Sequence, residues 1–169
     1  MKNAAAIFKL SYGMYIISSI DGDKKNAQFA NTAFQITAEP AVIAVSINKQ
    51  NYTHELIEAS KKVGISVLTE DATFEFIGKY GFRCGRDFDK LADAAVIEGS
   101  TGVPIVTDYA CAYIEGEVIQ SADLGTHTVF FVKVKDADVL SDGTPMSYDY
   151  YHNVIKGKAP KSAPTYHED

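Results

Sequence analysis

The chain is poor in the residues that build metal centres and disulfide frameworks. Its 169 residues include two cysteines, Cys84 and Cys111, set far apart. Two thiols cannot complete a tetrahedral zinc site, so no metal is expected. Tryptophan is absent, which excludes no function class. No apolar run approaches the roughly 20 residues of a membrane span. The opening, MKNAAAIFKLSYGMY, is broken by Lys9, Ser11 and Tyr12 and lacks the core and cleavage site of a signal peptide. The expectation is a cytoplasmic protein with no membrane association, in which the two cysteines stay free thiols. Positive charge is also scarce: the formal net charge is −6, which argues against binding a nucleic-acid backbone. An anionic cofactor needs only local positive charge and stays open. There is no GxGxxG fingerprint, no Walker pattern, no Gly-x-Ser-x-Gly elbow and no carboxylate pair isolated in an apolar run.

What is present is a β-rich pattern in one domain of ample core size, 46% hydrophobic. Residues 4–11 can form a short helix with Ile7, Leu10 and Met14 on one face. Tyr15 to Ile20 reads as a strand, Asp21-Gly22-Asp23 as a tight hairpin turn, and Gln28 to Thr37 as the strand that pairs back. Val42 to Ile47 is almost continuously apolar, as a strand buried on both faces would be. Thr53 reads as the N-cap of a helix with Leu56 and Ile57 inward. Val63 to Leu68 is another strand, and residues 71–80 a second helix with Phe74, Phe76 and Ile77 packed. Residues 110–119 and 128–140 form long alternating runs, with Asp142-Gly143 closing the pair. Helices follow strands too sparsely for a doubly wound parallel sheet, and a closed antiparallel barrel explains the order better. The segment after Lys156, GKAPKSAPTYHED, is Pro-containing and polar. It is expected to be extended and poorly packed on its own. The division is therefore a domain over 1–156 and a tail over 157–169.

The stretch NAQFANTAFQITAEPAVIAVSINKQNYTH, residues 26–54, carries the densest chemistry. Asn31, Thr32, Ser46, Asn48, Lys49, Asn51 and Thr53 are short hydrogen-bonding groups and one cation. That set suits a polar aromatic ring and a phosphate, and it also suits two ordinary strands with polar turns. Asn51 and Thr53 fall at a helix N-terminus, where free amides and the helix dipole favour an anion. His54 can join them or be an exposed first-turn side chain. Arg83, Cys84, Gly85 and Arg86 make a second, basic cluster. Either they reach an anion or they form a solvated loop beside Asp87 and Asp89. His127, on the Gly125-Thr126 turn, reads by itself as an exposed turn histidine.

Taken together, KLSYGMYIISS, NAQFANTAFQITAEPAVIAVSINKQNYTHELI, GFRCGRDFDK, TGVPIVTDYACAYIEGEVI, GTHTVFFVKV and PMSYDYYH, in this order, resemble the flavin reductase-like, FMN-binding split-barrel family. Within it, the likeness is to flavoredoxin and to the flavin reductase domain of high-molecular-weight rubredoxins. The resemblance implies a six-stranded antiparallel split β-barrel with short flanking helices, a homodimer, and FMN in preference to FAD. It implies an NAD(P)H:flavin oxidoreductase that passes electrons to a rubredoxin or a flavodiiron protein. The alternative it leaves is a flavin-binding carrier that does not oxidise NAD(P)H. Asn31, Thr32 and the Ala33 backbone would meet the flavin ring edge. Ser46, Asn48, Lys49, Asn51 and Thr53, with Arg83, Cys84, Gly85 and Arg86, would hold the phosphate side. His127 would position the nicotinamide. Lys90 belongs to the family's Asp-Lys pair and reads as structural. Relatives continue from the histidine turn with a Gly and an acidic residue. Here the strand reads Phe131-Val132-Lys133-Val134, which weakens the expected nicotinamide contacts more than the flavin ones.

Overall fold

The computed structural model describes residues 3–166. A 3-10 turn, Ala4–Lys9, precedes nine strands and three helices. The strands are β1 (Tyr15–Asp21), β2 (Lys24–Ala30), β3 (Ala33–Ala38), β4 (Ala41–Asn48) and β5 (Lys62–Leu68). β6 (Val96–Glu98), β7 (Pro104–Val106), β8 (Ala110–Asp123) and β9 (His127–Val139) follow. The helices are α1 (Tyr52–Ser60), α2 (Phe74–Gly81) and α3 (Tyr148–Asn153). Seven strands form one antiparallel sheet in the order β2-β1-β5-β8-β9-β4-β3, and β6 and β7 pair separately.

That order shows why the sheet must roll up. β2 and β3 lie at opposite ends of it, yet only Asn31 and Thr32 separate them in sequence. Three Cα steps reach about 11 Å at most, so the two edges meet at this end without pairing. The expected split barrel is the result, with seven strands in the sheet where six were expected. The extra strand arises because the run Gln28–Thr37, read as one strand, breaks at Asn31-Thr32. Its first half pairs with β1 and its second half with β4. The Asn-Thr pair is thus the crossover from one barrel edge to the other.

The alternating pattern of the strands fills the interior. Ile17, Val45, Ile47, Ile65, Phe130 and Val132 bury fully and pack together, and Ile57 of α1 closes their end. A second cluster, Met14, Ile16, Leu68, Ile77, Tyr80 and Tyr151, joins α2 and α3 to the barrel. Several local expectations change. Ile7 and Leu10 are exposed, because the N-terminal turn is a 3-10 turn lying outside the core. Phe74 is half exposed, since α2 turns Ile77 and Tyr80 inward instead. The N-cap of α1 is Asn51, not Thr53. The β8–β9 hairpin closes at Leu124-Gly125-Thr126, and Asp142-Gly143 follows the far end of β9.

Glu115, in the middle of β8, is buried and accepts from the Ser100 and Thr101 amides (2.5 and 2.9 Å) and the Thr101 hydroxyl (2.5 Å). Burial pushes its carboxyl up. The Thr101 and Ser100 hydrogen bonds outweigh burial and leave it below the usual carboxylate range. This carboxylate pins the β6–β7 connection to the barrel.

Candidate functional site

Beside the Asn31-Thr32 crossover lies a cavity of about 260 Å³. Its walls come from the end of β2, the end of β4, the start of α1, the loop after α2 and the segment following α3. Each element contributes for a local reason. β2 ends where the chain leaves the barrel edge, so Asn26, Gln28 and Asn31 face the gap between edges. β4 ends in Ser46 and Asn48, and the tight turn after it (Asn51 N–H to Asn48 O, 3.0 Å) aims the N-terminus of α1 at the same place. Asn26 Nδ2 donates to Thr53 Oγ1 at 2.8 Å and ties β2 to α1. Gly85 runs flush against Asn26: a Cβ there would fall 2.1 Å from its Oδ1. Only glycine lets the loop close this wall.

Of the residues singled out from sequence, Asn31, Ser46, Asn48, Asn51, Thr53, Arg83, Cys84 and Gly85 line the cavity together. Five do not line it. Thr32 donates to Asn31 Oδ1 (3.0 Å) from the crossover, and Ala33 is buried as the first residue of β3. Lys49 forms an ion pair with Asp123 at the tip of β8, and Arg86 pairs with Glu55 of α1. His127 stands at the start of β9. Its Nδ1 accepts from the Thr126 hydroxyl (2.9 Å) and its Nε2 donates to the Ser162 carbonyl (3.2 Å). His54 points into the barrel, bonding Thr128 (2.8 Å) and packing on Phe130, with its pKa lowered by burial.

The cations that line the cavity are Arg83, Lys90 and Lys158 of the segment after α3. Arg83 stacks on Phe88 at 4.4 Å and has no carboxylate partner among the described residues. Lys90 is only 4% exposed, and its Nζ bonds the Tyr80 carbonyl at 2.9 Å. Burial pulls its pKa down to about 8, with Cys84 opposing. From the sequence, Lys90 reads as the structural member of the family's Asp-Lys pair, beside Asp89. Gln28 and Asn26 were missed because they sit in an ordinary-looking strand.

The tail does not run free. Lys158, Pro160, Ser162, Ala163 and Pro164 form the outer wall of the cavity, and Thr165 Oγ1 accepts from Asn31 Nδ2 at 2.7 Å. Among the described residues, no group of three His, Cys, Asp or Glu could hold a metal ion. Nor is any helix long and apolar enough to cross a membrane. Cys84 and Cys111 are free thiols.

Comparison with known proteins decides the class. The sequence model described as "Flavin reductase like domain" matches residues 7–156. The chain belongs to the flavin reductase-like domain family. It is 48% identical over 161 residues to the high molecular weight rubredoxin of Moorella thermoacetica, covering 95% of this chain and 70% of that protein. It is 44% identical over 163 residues to the ferric-chelate reductase (NAD(P)H) of Archaeoglobus fulgidus, covering 96% of each. Among solved structures, flavin reductase PheA2 superposes with a TM-score of 0.71 at 25% identity, over 84% of this chain and 88% of that one. The FMN-binding protein of Thermus thermophilus superposes with a TM-score of 0.69 at 23% identity, over 78% and 73%. The protein is an oxidoreductase of the flavin reductase type, and its cofactor is a flavin.

The cavity of this flavin reductase fits such a group. Gln28 Oε1 and the Tyr80 hydroxyl are buried in its wall with no hydrogen-bond partner among the described residues. A flavin brings N–H groups, ring oxygens and ribityl hydroxyls that would satisfy both. Lys90 retains two ammonium donors beyond its bond to Tyr80, which suits a phosphate.

Proposed function

We propose that the protein is an FMN-dependent NAD(P)H:flavin oxidoreductase that hands electrons to a rubredoxin- or flavodiiron-type acceptor. The observation that carries this reading is the lining of the cavity: neutral amide and hydroxyl groups together with Arg83 and Lys90, neither of them in an ion pair among the described residues. Two neighbouring cations match one terminal phosphate, which favours FMN over FAD. Gly85 keeps the loop backbone close against Asn26. The amides at the start of α1 add partial positive charge beside Asn51 and Thr53. Asn31, held by Thr32 and by the barrel crossover, lines the same cavity.

The bound flavin supplies the redox chemistry, taking up hydride from the nicotinamide donor and releasing electrons to the acceptor. The protein's part is binding, orientation and exclusion of water. His127 is fixed as the Nε2–H tautomer, since Nε2 donates to a carbonyl and Nδ1 accepts from Thr126. In the proposed role it holds the nicotinamide amide, and no side chain needs to act as acid or base. A 44%-identical ferric-chelate reductase named for NAD(P)H and a 48%-identical rubredoxin support the donor and the kind of acceptor.

We place the enzyme in the cytoplasm, on its two free thiols, and as a homodimer. β3 is an edge strand with Phe34 and Ile36 exposed, next to the site, and a second copy would cover them. Equilibrium titration tests the cofactor assignment: one FMN per subunit, bound more tightly than riboflavin. Equal affinities for the two would remove the phosphate site. Light scattering that gives a monomer for the flavin-loaded protein would remove the dimer.

A further inference from the structure

The segment after α3 has a fixed base, a spanning stretch and a far end bonded to two side chains of the candidate site. At the base, three residues past the end of α3, Lys156 adopts a left-handed backbone (φ 60°), and the Gly157 amide donates to the Tyr151 carbonyl at 3.0 Å. Gly157 is pressed against the Tyr151 ring so closely that a Cβ would fall 2.0 Å from it. Tyr151 is a core residue, and its hydroxyl donates to the Lys158 carbonyl at 3.2 Å. The chain then crosses the cavity mouth in two tight turns, Ala163 N–H to Pro160 O (2.9 Å) and Tyr166 N–H to Ala163 O (3.1 Å). It joins no strand and no α-helix.

The far end is held by two side chains that the proposed function needs for something else. His127 Nε2 donates to the Ser162 carbonyl, and Asn31 Nδ2 donates to Thr165 Oγ1. With the Thr126 and Thr32 hydroxyls on their remaining acceptors, His127 has both ring nitrogens engaged and Asn31 both ends of its amide. A nicotinamide amide cannot bond His127 while Ser162 does. The two occupants share one partner and exclude each other.

We propose that residues 158–166 are a strap that closes the donor side of the site, hinged at Lys156-Gly157, and that binding of a pyridine dinucleotide displaces it. This rests on the proposed donor role of His127. The strap gives the enzyme two states: closed, with the flavin pocket walled by Pro160, Ala163 and Pro164, and open, with His127 free for the donor. Dioxygen and other small oxidants then meet a covered site except during donor binding.

The strap carries its own reporters, since trypsin cuts after Lys158 and Lys161. The FMN-loaded protein is digested with and without saturating NAD+ or NADP+, which bind without reducing the flavin. Binding is followed in parallel by perturbation of the flavin absorbance. If the open state is populated a tenth of the time or less, full displacement raises cleavage at these two bonds about tenfold, while cleavage elsewhere stays constant. Thr165→Val removes the bond from Asn31 and should raise cleavage without dinucleotide and tighten dinucleotide binding. A dinucleotide that binds while cleavage stays flat or slows overturns the strap and leaves the donor role standing. Binding only to Thr165→Val, and not to wild type, overturns displacement by the dinucleotide. Binding to neither protein overturns the strap together with the donor role.

Discussion

Replacing Lys90 by Met should weaken FMN binding and at the same time stabilise the flavin-free protein. The two effects have one origin. The Lys90 ammonium is buried, with a single carbonyl partner and no carboxylate among the described residues. Its pKa of about 8, against 10.5 for a free lysine, means that keeping it charged at pH 7 costs the fold about 3 kcal/mol. Met fills similar space without that cost, so the apo variant should melt higher. FMN binding should move the other way. Two spare donors on a dianionic phosphate are charge-assisted bonds of about 1.5–3 kcal/mol each, so even one is worth roughly 10- to 100-fold in affinity. Riboflavin, without phosphate, should bind Lys90→Met as it binds the wild type. The pH dependence carries the same signature. A base with a depressed folded pKa is charged in both states below pH 8, and above it the unfolded chain holds the extra proton. Apo stability should therefore rise between about pH 8 and 10.5, and FMN affinity should fall over the same range as the ammonium is lost. The assay is fluorescence titration of FMN and riboflavin at pH 7 and pH 9, with thermal melts of the apo proteins. Equal losses for both ligands, or a destabilised apo variant, would show that Lys90 is a structural lysine.

Gly85→Ala should drive a Cβ into Asn26 and disturb its bond to Thr53, weakening flavin by ~10-fold or more with a smaller loss of stability; unchanged affinity would mean the loop is not a wall of the site. Glu115→Gln leaves the Ser100 and Thr101 donors without a carboxylate and should cost about 1–3 kcal/mol in denaturant unfolding, with flavin affinity unaffected. Because that carboxyl is held below the ordinary glutamate value of about 4.5, the stability it confers is present above pH 4.5 and is lost as pH falls through its lower folded value. His54 is buried neutral, so the unfolded chain takes up its proton first. Stability should fall as pH drops below about 6.5, and His54→Gln should flatten that part of the profile.

The barrel was legible because its strands alternate and its turns are marked: Asp21-Gly22 and the Gly125 turn both close hairpins. The Asn31-Thr32 crossover was not. Gln28 to Thr37 keeps its alternation straight through the break, so periodicity alone cannot show that the chain changes edges there. The neutral half of the site was readable from Asn31, Ser46, Asn48, Asn51 and Thr53. The charged half was only partly so, since charge in sequence does not say what is already paired. Lys49 and Arg86 look equal to Lys90 and Arg83 until Asp123 and Glu55 are found beside them. His54 reads from the sequence as either a member of the anion cluster or an exposed first-turn residue, yet its ring packs against Phe130 inside the barrel. The tail has little apolar content, and its order comes from the cavity it covers, not from its own composition.

The most direct test of the account is anaerobic mixing of the FMN-loaded protein with NADH and, separately, with NADPH, while the visible flavin absorbance is followed. The account predicts that at least one nicotinamide bleaches the flavin. It also predicts that His127→Ala slows that bleaching ~10-fold or more, about 1.4 kcal/mol in the activation barrier, with FMN affinity nearly intact. Reduction of His127→Ala at the wild-type rate would return His127 to an ordinary turn residue. A wild-type flavin that neither nicotinamide bleaches would contradict the central claim and make the protein a flavin carrier reduced by another partner.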